Sequence, residues 1–263
     1  MKQLLNIFAG GVVALLAFPL CAADQHPDLS GVWAFVVDLP PIALKRETNG
    51  TAVIAKLPKG IVATGAVPGA LPFTKAPTYK PELQAKLKDT FDHENRTDPV
   101  FYCGKPGTPR IGVPRKIVQS PNEVIFFYED ISGDPYRIIP VVSSKAEVAK
   151  KHRVNGNPSA YGDSVAYWDG GTLIVEATNF DDTTWFGEGG YFHTDAMRVT
   201  ERLWKIDGNL AYQATVEDLN VLTAPWTMAA RVVKPSDDPL QESPRCVEDD
   251  GKRLLNNDHH VQR

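Results

Sequence analysis

The chain has 263 residues, 43% of them hydrophobic and 23% charged, with a formal net charge of −4. That mild acidity leaves no basic patch for a phosphate backbone, so nucleic acid is not an expected partner. The length suits one substantial domain with room for an extension.

Residues 1–23 read as a cleaved signal peptide. Met1-Lys2 gives a positive start, Leu4 to Leu20 an apolar run, and Cys21-Ala22-Ala23 small residues at positions −3 and −1 before Asp24. Asn6, Gly10, Gly11 and Pro19 interrupt the run and argue against a membrane anchor, while bulky Phe18-Pro19-Leu20 argue against lipidation at Cys21. The mature chain, without Lys2, carries a formal charge of −5 and is expected to be periplasmic or secreted. No later apolar run approaches the length of a membrane span.

Residues 24–100 read as an irregular N-terminal arm. Asp28 to Phe35 forms an opening strand, and a Gly/Pro/Ala/Lys-rich stretch extends through Pro77. One short helix follows from Pro81 to about Asn95, with Leu83, Leu87 and Phe91 at helical spacing.

Residues 101–248 read as an antiparallel β domain, and 249–263 as a polar tail. Val124 to Tyr128 is a buried-type strand, and Arg137 to Val141 a second, placed near an edge by Pro140. Two hairpins follow, Ser164–Trp168 with Thr172–Phe180 and Met197–Ile206 with Leu210–Leu219, turning at Gly170-Gly171 and around Asp207-Gly208-Asn209. Trp226 to Val233 closes the series. The fold class predicted is mainly β, a meander closing into a calycin- or lipocalin-like barrel.

Acids stand where apolar side chains are expected on the hairpin faces. A two-residue turn at Gly170-Gly171 pairs Trp168 with Leu173, Ala166 with Val175 and Ser164 with Ala177, leaving Asp163, Val165, Tyr167, Ile174, Glu176, Thr178 and Phe180 on the other face. In the second hairpin Glu201 shares a face with Val199, Leu203, Leu210, Tyr212, Ala214, Val216 and Asp218. A carboxylate among such neighbours must be paired, hydrogen-bonded or retained for function, because burying it alone costs several kcal/mol.

Candidate catalytic residues are therefore Glu176, Glu201, Asp163 and His193, the last suited by type to acid–base work near neutral pH. Candidate ligand-binding residues are Tyr167, Phe180, Trp185 and Tyr212. The loop from Asn179 to Asp195, aromatic and punctuated by Gly187, Gly189 and Gly190, either gates an apolar pocket or packs its own rings over the barrel end. Asp181, Asp182, His193 and Asp195 are ligand types for a metal, but acidic loops are usually solvated, and neither metal nor cofactor is expected. Gly162-Asp163-Ser164 is similar to the nucleophile block of the GDSL-type esterases. That chemistry needs a parallel sheet and a later Asp-x-x-His, whereas Ser164 enters a hairpin and Asp258-His259-His260 lacks the spacing.

With Cys21 removed, Cys103 and Cys246 remain as an even pair in an oxidising compartment, without cysteine or histidine at metal-ligand spacing. They are expected to form a disulfide, worth about 4–5 kcal/mol for so long a loop in chain-entropy models.

Gly31-Val32-Trp33 resembles the Gly-x-Trp that opens lipocalin barrels, where the tryptophan plugs the closed end beneath an arginine; Arg202 or Arg231 is a candidate for that part. Three further blocks, Cys103 to Arg110, Gly162 to Glu176, and Val199-Thr200-Glu201-Arg202 with Val216-Glu217-Asp218 and Pro225-Trp226-Thr227, resemble a widespread family of exported bacterial proteins largely without assigned function. Ala166-Tyr167 stands where that family commonly has Gly-Arg. The resemblance implies an exported, β-rich fold and no particular chemistry.

The function expected is accommodation of a small, largely apolar ligand (a terpenoid, steroid or aromatic) in the barrel, with acid–base catalysis of isomerase, lyase or hydrolase type as an addition. The alternative is a non-catalytic binding or envelope-scaffold protein whose buried acids pair with Arg198, Arg202 or Arg231. Acids converging on a cavity would favour the first, and acids meeting arginines in a filled core the second.

Overall fold

Alternating apolar and polar residues separated by two-residue turns build most of the sheet. The computed structural model describes residues 26–34, 44–46, 52–54 and 76–247, apart from 131, 154, 155, 229 and 245. The expected signal peptide, the tail from 249, Phe35 and most of the proline-rich arm lie outside the described residues.

The strands are β1 (Gly31–Val32), β2 (Leu44–Arg46), β3 (Ala52–Ile54), β4 (Lys116–Ser120), β5 (Glu123–Phe127), β6 (Tyr136–Val142), β7 (Asp163–Asp169), β8 (Thr172–Thr178), β9 (Arg198–Ile206), β10 (Asn209–Glu217), β11 (Trp226–Thr227) and β12 (Arg231–Val233). The main sheet runs β1-β4-β5-β6-β7-β8-β9-β10-β11, with β12 also on β10; β2 and β3 form a separate pair. The protein is mainly β, a mostly antiparallel meander curled into a half-barrel.

Two backbone hydrogen bonds draw the sheet's ends together. Ala34 N–H donates to Lys234 O at 2.8 Å and Ser236 N–H to Val32 O at 2.9 Å, flanking the Trp33–Pro235 bridge. Since β12 continues into Pro235 and pairs with β10, the curl is joined to β1 at this end. Trp33 is buried there, as its lipocalin-like position suggests. Lys205 Nζ lies 4.8 Å from its ring centroid and Arg115 donates to its carbonyl, whereas Arg202 is exposed on the outer face of β9.

The hairpin registers follow from their turns. Trp168 pairs with Leu173, Ala166 with Val175 and Ser164 with Ala177. Asp207 and Gly208, both at positive φ, form a two-residue turn joining Ile206 to Asn209, and Ala214 consequently faces Glu201. The predicted core face is buried: Val199, Leu203, Leu210, Tyr212, Ala214 and Val216 join Trp33, Phe126, Ile139, Leu173 and Val175 in one cluster.

Three features go beyond the sequence reading. Lys116–Ser120 is a strand that pairs with β1 and so brings the N-terminal arm into the sheet. The helical segment begins with a 3₁₀ turn at Pro81–Leu83 and continues as α1 (Gln84–Asp92) and α2 (Glu94–Thr97). Leu83 and Leu87 pack against the core, whereas Phe91 stays exposed. Finally, α3 (Lys145–Lys151) connects β6 to β7, which pair in parallel.

Cys103 and Cys246 are joined by a disulfide with a Cα–Cα distance of 5.7 Å, across 143 residues of sequence. Replacing both by serine is expected to cost about 2–5 kcal/mol in reversible denaturation. Non-reducing peptide mapping checks the bond directly, and two free thiols would refute it.

Candidate ligand-binding cleft and buried polar network

Glu201 is completely buried, and its partner comes from β6. Arg137 alternates with Ile139 and Val141 on the concave face, so its side chain points into the half-barrel. Its guanidinium meets the Glu201 carboxylate in a two-point contact, Nη1 to Oε1 at 3.0 Å and Nη2 to Oε2 at 2.6 Å. Tyr212 donates its hydroxyl to Glu201 Oε1 at 3.0 Å, and Arg137 also donates to Tyr128 Oη at 3.1 Å and Ser164 Oγ at 2.7 Å. Burial works against the charge on Arg137, but Glu201 more than offsets this and holds the guanidinium protonated beyond its ordinary range. Burial first, and then the Glu201 charge, raises the Tyr212 phenol, which stays a neutral donor.

The arginines anticipated for this role are elsewhere. Arg198 and Arg202 alternate onto the outer face of β9 and are exposed, and Arg231 lies beside Gly112 with its pKa lowered to about 10 by burial. Among the described residues, Arg137 Nε is buried without a hydrogen-bond partner.

Asp163 starts β7 and is held by three donors: the Arg153 backbone N–H at 2.8 Å, Arg153 Nε at 2.7 Å and His152 Nδ1 at 3.0 Å. Burial would raise its pKa, yet these bonds outweigh burial and keep the carboxyl below its usual value. Gly162 has a positive φ, and a Cβ there would stand 2.7 Å from Thr178 O, so the Gly-Asp-Ser block serves close strand packing. Ser164 is bonded to an arginine instead of to a catalytic base.

The remaining candidates separate. Glu176 and Tyr167 are half-buried on the outer face of the β7–β8 hairpin. Burial, and then the nearby Glu176 charge, raises the Tyr167 phenol. Asn179, at a φ of 60°, breaks the alternation after β8, so Phe180 turns into the core and away from Glu176. Trp185 is buried beneath the Arg110 guanidinium, 5.3 Å from its ring centroid. The pocket anticipated between Glu176, Tyr167, Phe180, Trp185 and His193 is thus divided between two faces.

The aromatic loop packs upon itself. Phe186, Tyr191 and Phe192 group around Tyr79, whose hydroxyl donates to Phe192 O, with Trp226 alongside. Gly190 permits close approach rather than hinging: a Cβ there would stand 2.8 Å from Thr90 of α1. His193 is buried, contacting Thr194 O through Nδ1 and Thr184 Oγ1 through Nε2, both at 2.9 Å. A carbonyl only accepts, so Nδ1 carries the proton and Nε2 accepts from the Thr184 hydroxyl. Neither Glu176 nor Glu201 is among these partners. Burial lowers the His193 pKa.

Glu94, Asp98 and Glu188 come close enough together for a cation, but Arg110 already bonds both Asp98 oxygens, at 2.7 and 2.6 Å, and both Glu188 oxygens at 3.0 Å. The cluster is an ion-pair knot.

Open volume lies elsewhere, between β6 and β7. These strands pair only at Val141–Ala166 and Val142–Tyr167. Val141 N–H points to β5, donating to Asn122 O, so the ring nitrogen of Pro140 faces β7 and has no proton to give. Pairing ends there, and a cleft of about 530 Å³ opens between the strands. One side carries Tyr136, Ile138 and Pro140; the other carries Tyr161, Asp163, Ser164 and Val165, with Lys151 and Arg153 at the end of α3 and Arg137 shared with the core network. Its volume is that of a small-molecule site.

No family model, curated protein or solved structure matches the chain. Sequence reasoning singled out Glu201, Tyr212 and Asp163, set Ser164 aside as a strand residue, and missed Arg137, Tyr128, His152, Arg153 and Tyr161. Arg137 carried the signal that exposed Glu201: a charge alternating with Ile139 and Val141.

Two predictions follow from this geometry. Arg137→Met or Glu201→Leu alone is expected to cost about 3–5 kcal/mol in urea denaturation, and the double variant Arg137→Met/Glu201→Leu to recover most of that; additive losses would contradict the pairing. For His193, a folded pKa below the unfolded value near 6.5 means the unfolded chain binds the extra proton. Its contribution to stability is full above that pH and falls with decreasing pH towards the folded pKa, by at most about 1.4 kcal/mol per pH unit. His193→Gln should flatten this part of the stability profile, and an unchanged slope would contradict the buried neutral tautomer.

Proposed function

We propose that this is an exported, non-catalytic binding protein whose buried acids are structural and whose small-molecule site is the cleft between β6 and β7. The observation that carries the reading is that each buried acid of the hairpin face is matched by fixed donors: Glu201 by Arg137 and Tyr212, Asp163 by Arg153 and His152. A general acid or base needs a proton to exchange with substrate, and a two-point guanidinium contact in a dry core opposes that exchange.

Large side chains fill the concave interior expected to receive a terpenoid, steroid or aromatic: Trp33, Phe126, Leu203 and Tyr212 are all buried in one cluster. The cleft supplies the concave space instead, with Tyr136, Ile138 and Pro140 on one wall and the polar groups of Lys151, Arg153, Tyr161, Asp163 and Ser164 facing them. Export rests on the N-terminal segment, on the resemblance to exported bacterial proteins and on the disulfide, which suits an oxidising compartment. Among the described residues no helix is long and apolar enough to cross a membrane.

The test is a thermal-shift screen of small metabolites, repeated on Val165→Trp, which fills the cleft. A ligand raising the melting temperature of the wild type and not of the variant is the expected result. The binding reading fails if no ligand does so, or if the variant responds equally. Turnover abolished by Glu201→Asp in a protein of unchanged stability would restore the catalytic reading.

A further inference from the structure

The outer face of β4, β5 and β6 is apolar where water is expected. Register places Val118, Ile125 and Ile138 in one row across the three strands, and Phe127 and Tyr136 in the next, their rings 6.4 Å apart. Tyr136 is 61% exposed, Ile138 54% and Val118 41%, with Ile125 and Phe127 half-buried between them. Opposed side chains on one sheet face touch, so these five form a continuous stripe about two strand spacings, roughly 10 Å, in width. Lys116 bounds it in the Phe127 row, and Glu123, opposite Pro140, on the other side.

The stripe does not stop at β6. Tyr136 and Ile138 are also the near wall of the cleft. Across from them the chemistry changes to cationic: Lys151 and Arg153 are exposed at the mouth, and Arg137, with its unpartnered Nε, lies at the floor. Asp163, the one acid among the described residues lining the cleft, is occupied by Arg153 and His152, so Lys151 remains as excess positive charge. Tyr161, Ser159 and Ser164 add hydroxyls.

We propose that the cleft and the stripe form one site for an anionic amphiphile, a carboxylate bearing a hydrocarbon chain. The head enters the cleft towards Lys151 and Arg153, and the chain lies across Ile138 and Ile125 towards Val118. This rests on the cleft reading above and adds the ligand class. Charge complementarity selects the head, and the unbroken passage from cleft wall to stripe selects the tail.

Calorimetry with dodecanoate below its micelle concentration tests the pairing of head and tail, against butyrate (head alone), dodecanol (tail alone) and phosphatidylglycerol vesicles. Dodecanoate is expected to bind one to one, at least tenfold tighter than butyrate or dodecanol. Ile138→Glu and Lys151→Glu, both at exposed positions, are each expected to weaken it at least tenfold with melting temperature unchanged. Butyrate binding as well as dodecanoate would overturn the amphiphile assignment and leave the cleft reading standing. Equal binding of dodecanol would overturn the role of the cations. Vesicle binding without binding of free dodecanoate would assign the surface to a membrane and overturn the proposal. Dodecanoate binding insensitive to both variants would also overturn it, and silence from every probe together with a blank metabolite screen would remove both readings.

Discussion

The contact between Arg137 and Glu201 is the constraint on which the rest of the structure depends. It joins β6 to β9 across two intervening strands, so it spans the concave face rather than a ladder. Ser164 of β7, Tyr212 of β10 and Tyr128 just after β5 complete the network. Removing two charges from water costs several kcal/mol each, and only two-point geometry with added hydroxyl partners offsets such a penalty. What the pair secures is registration. A one-residue slip of β9 would move Glu201 to the solvent face and leave Arg137 buried and uncompensated, so alternative pairings of the long hairpin are strongly disfavoured.

Among the described residues the concave face is filled by buried side chains, and open volume lies at an irregularity in the sheet. Antiparallel strands paired along their length leave no gap. Here β6 and β7 are joined through α3 and run parallel, and their pairing extends over two residues. Pro140 withholds the donor that would carry the ladder further, and Lys151, Arg153, Ser159 and Tyr161 line the open side. The cleft is thus a product of topology and one imino acid, and its floor is an arginine already fixed by the core. A binding surface resting on a rigid network needs little reorganisation to accept a ligand.

Local rules were legible where turn chemistry and alternation agreed. Gly170-Gly171 specifies a two-residue turn and with it the cross-strand pairs of the first hairpin, while the Asp207-Gly208-Asn209 cluster gave the two faces of the second, including the burial of Glu201, without settling which two residues turn. The half-barrel followed from the same pattern, and the disulfide from counting cysteines. Pro140 was legible as an edge signal, though the edge it marks lies inside the sheet, facing a cleft. Non-local features were not legible. The identity of the Glu201 partner depends on β6 lying two strands from β9, which no local pattern encodes. The parallel join hid because β6 and β7 each read as ordinary meander strands. Phe180 was misplaced by a single residue: Asn179 in the left-handed region turned the chain, and strict alternation assigned Phe180 to the wrong face.

The three outer surfaces of this one sheet show why the apolar stripe is a local feature and no general property of the fold. On β9 and β10 the outer positions Arg198, Thr200, Arg202, Thr215 and Glu217 form a polar end, as expected for a wet face, while Trp204, Ile206 and Ala211 at the other end pack with Val232 in a small cluster. On β7 and β8 apolar outer residues do occur, but Val165 and Ile174 are buried, and α3 packs against β7 with Val148 turned inward. On β4 to β6 the outer residues are apolar and no described element covers them. An exposed row of Val, Ile and Tyr carries the aggregation hazard of any apolar sheet face, and Lys116 and Glu123 limit it only at its borders. The stripe is open where it meets the cleft and bounded by charge away from it, which is the polarity expected of a surface covered by a ligand anchored in the cleft.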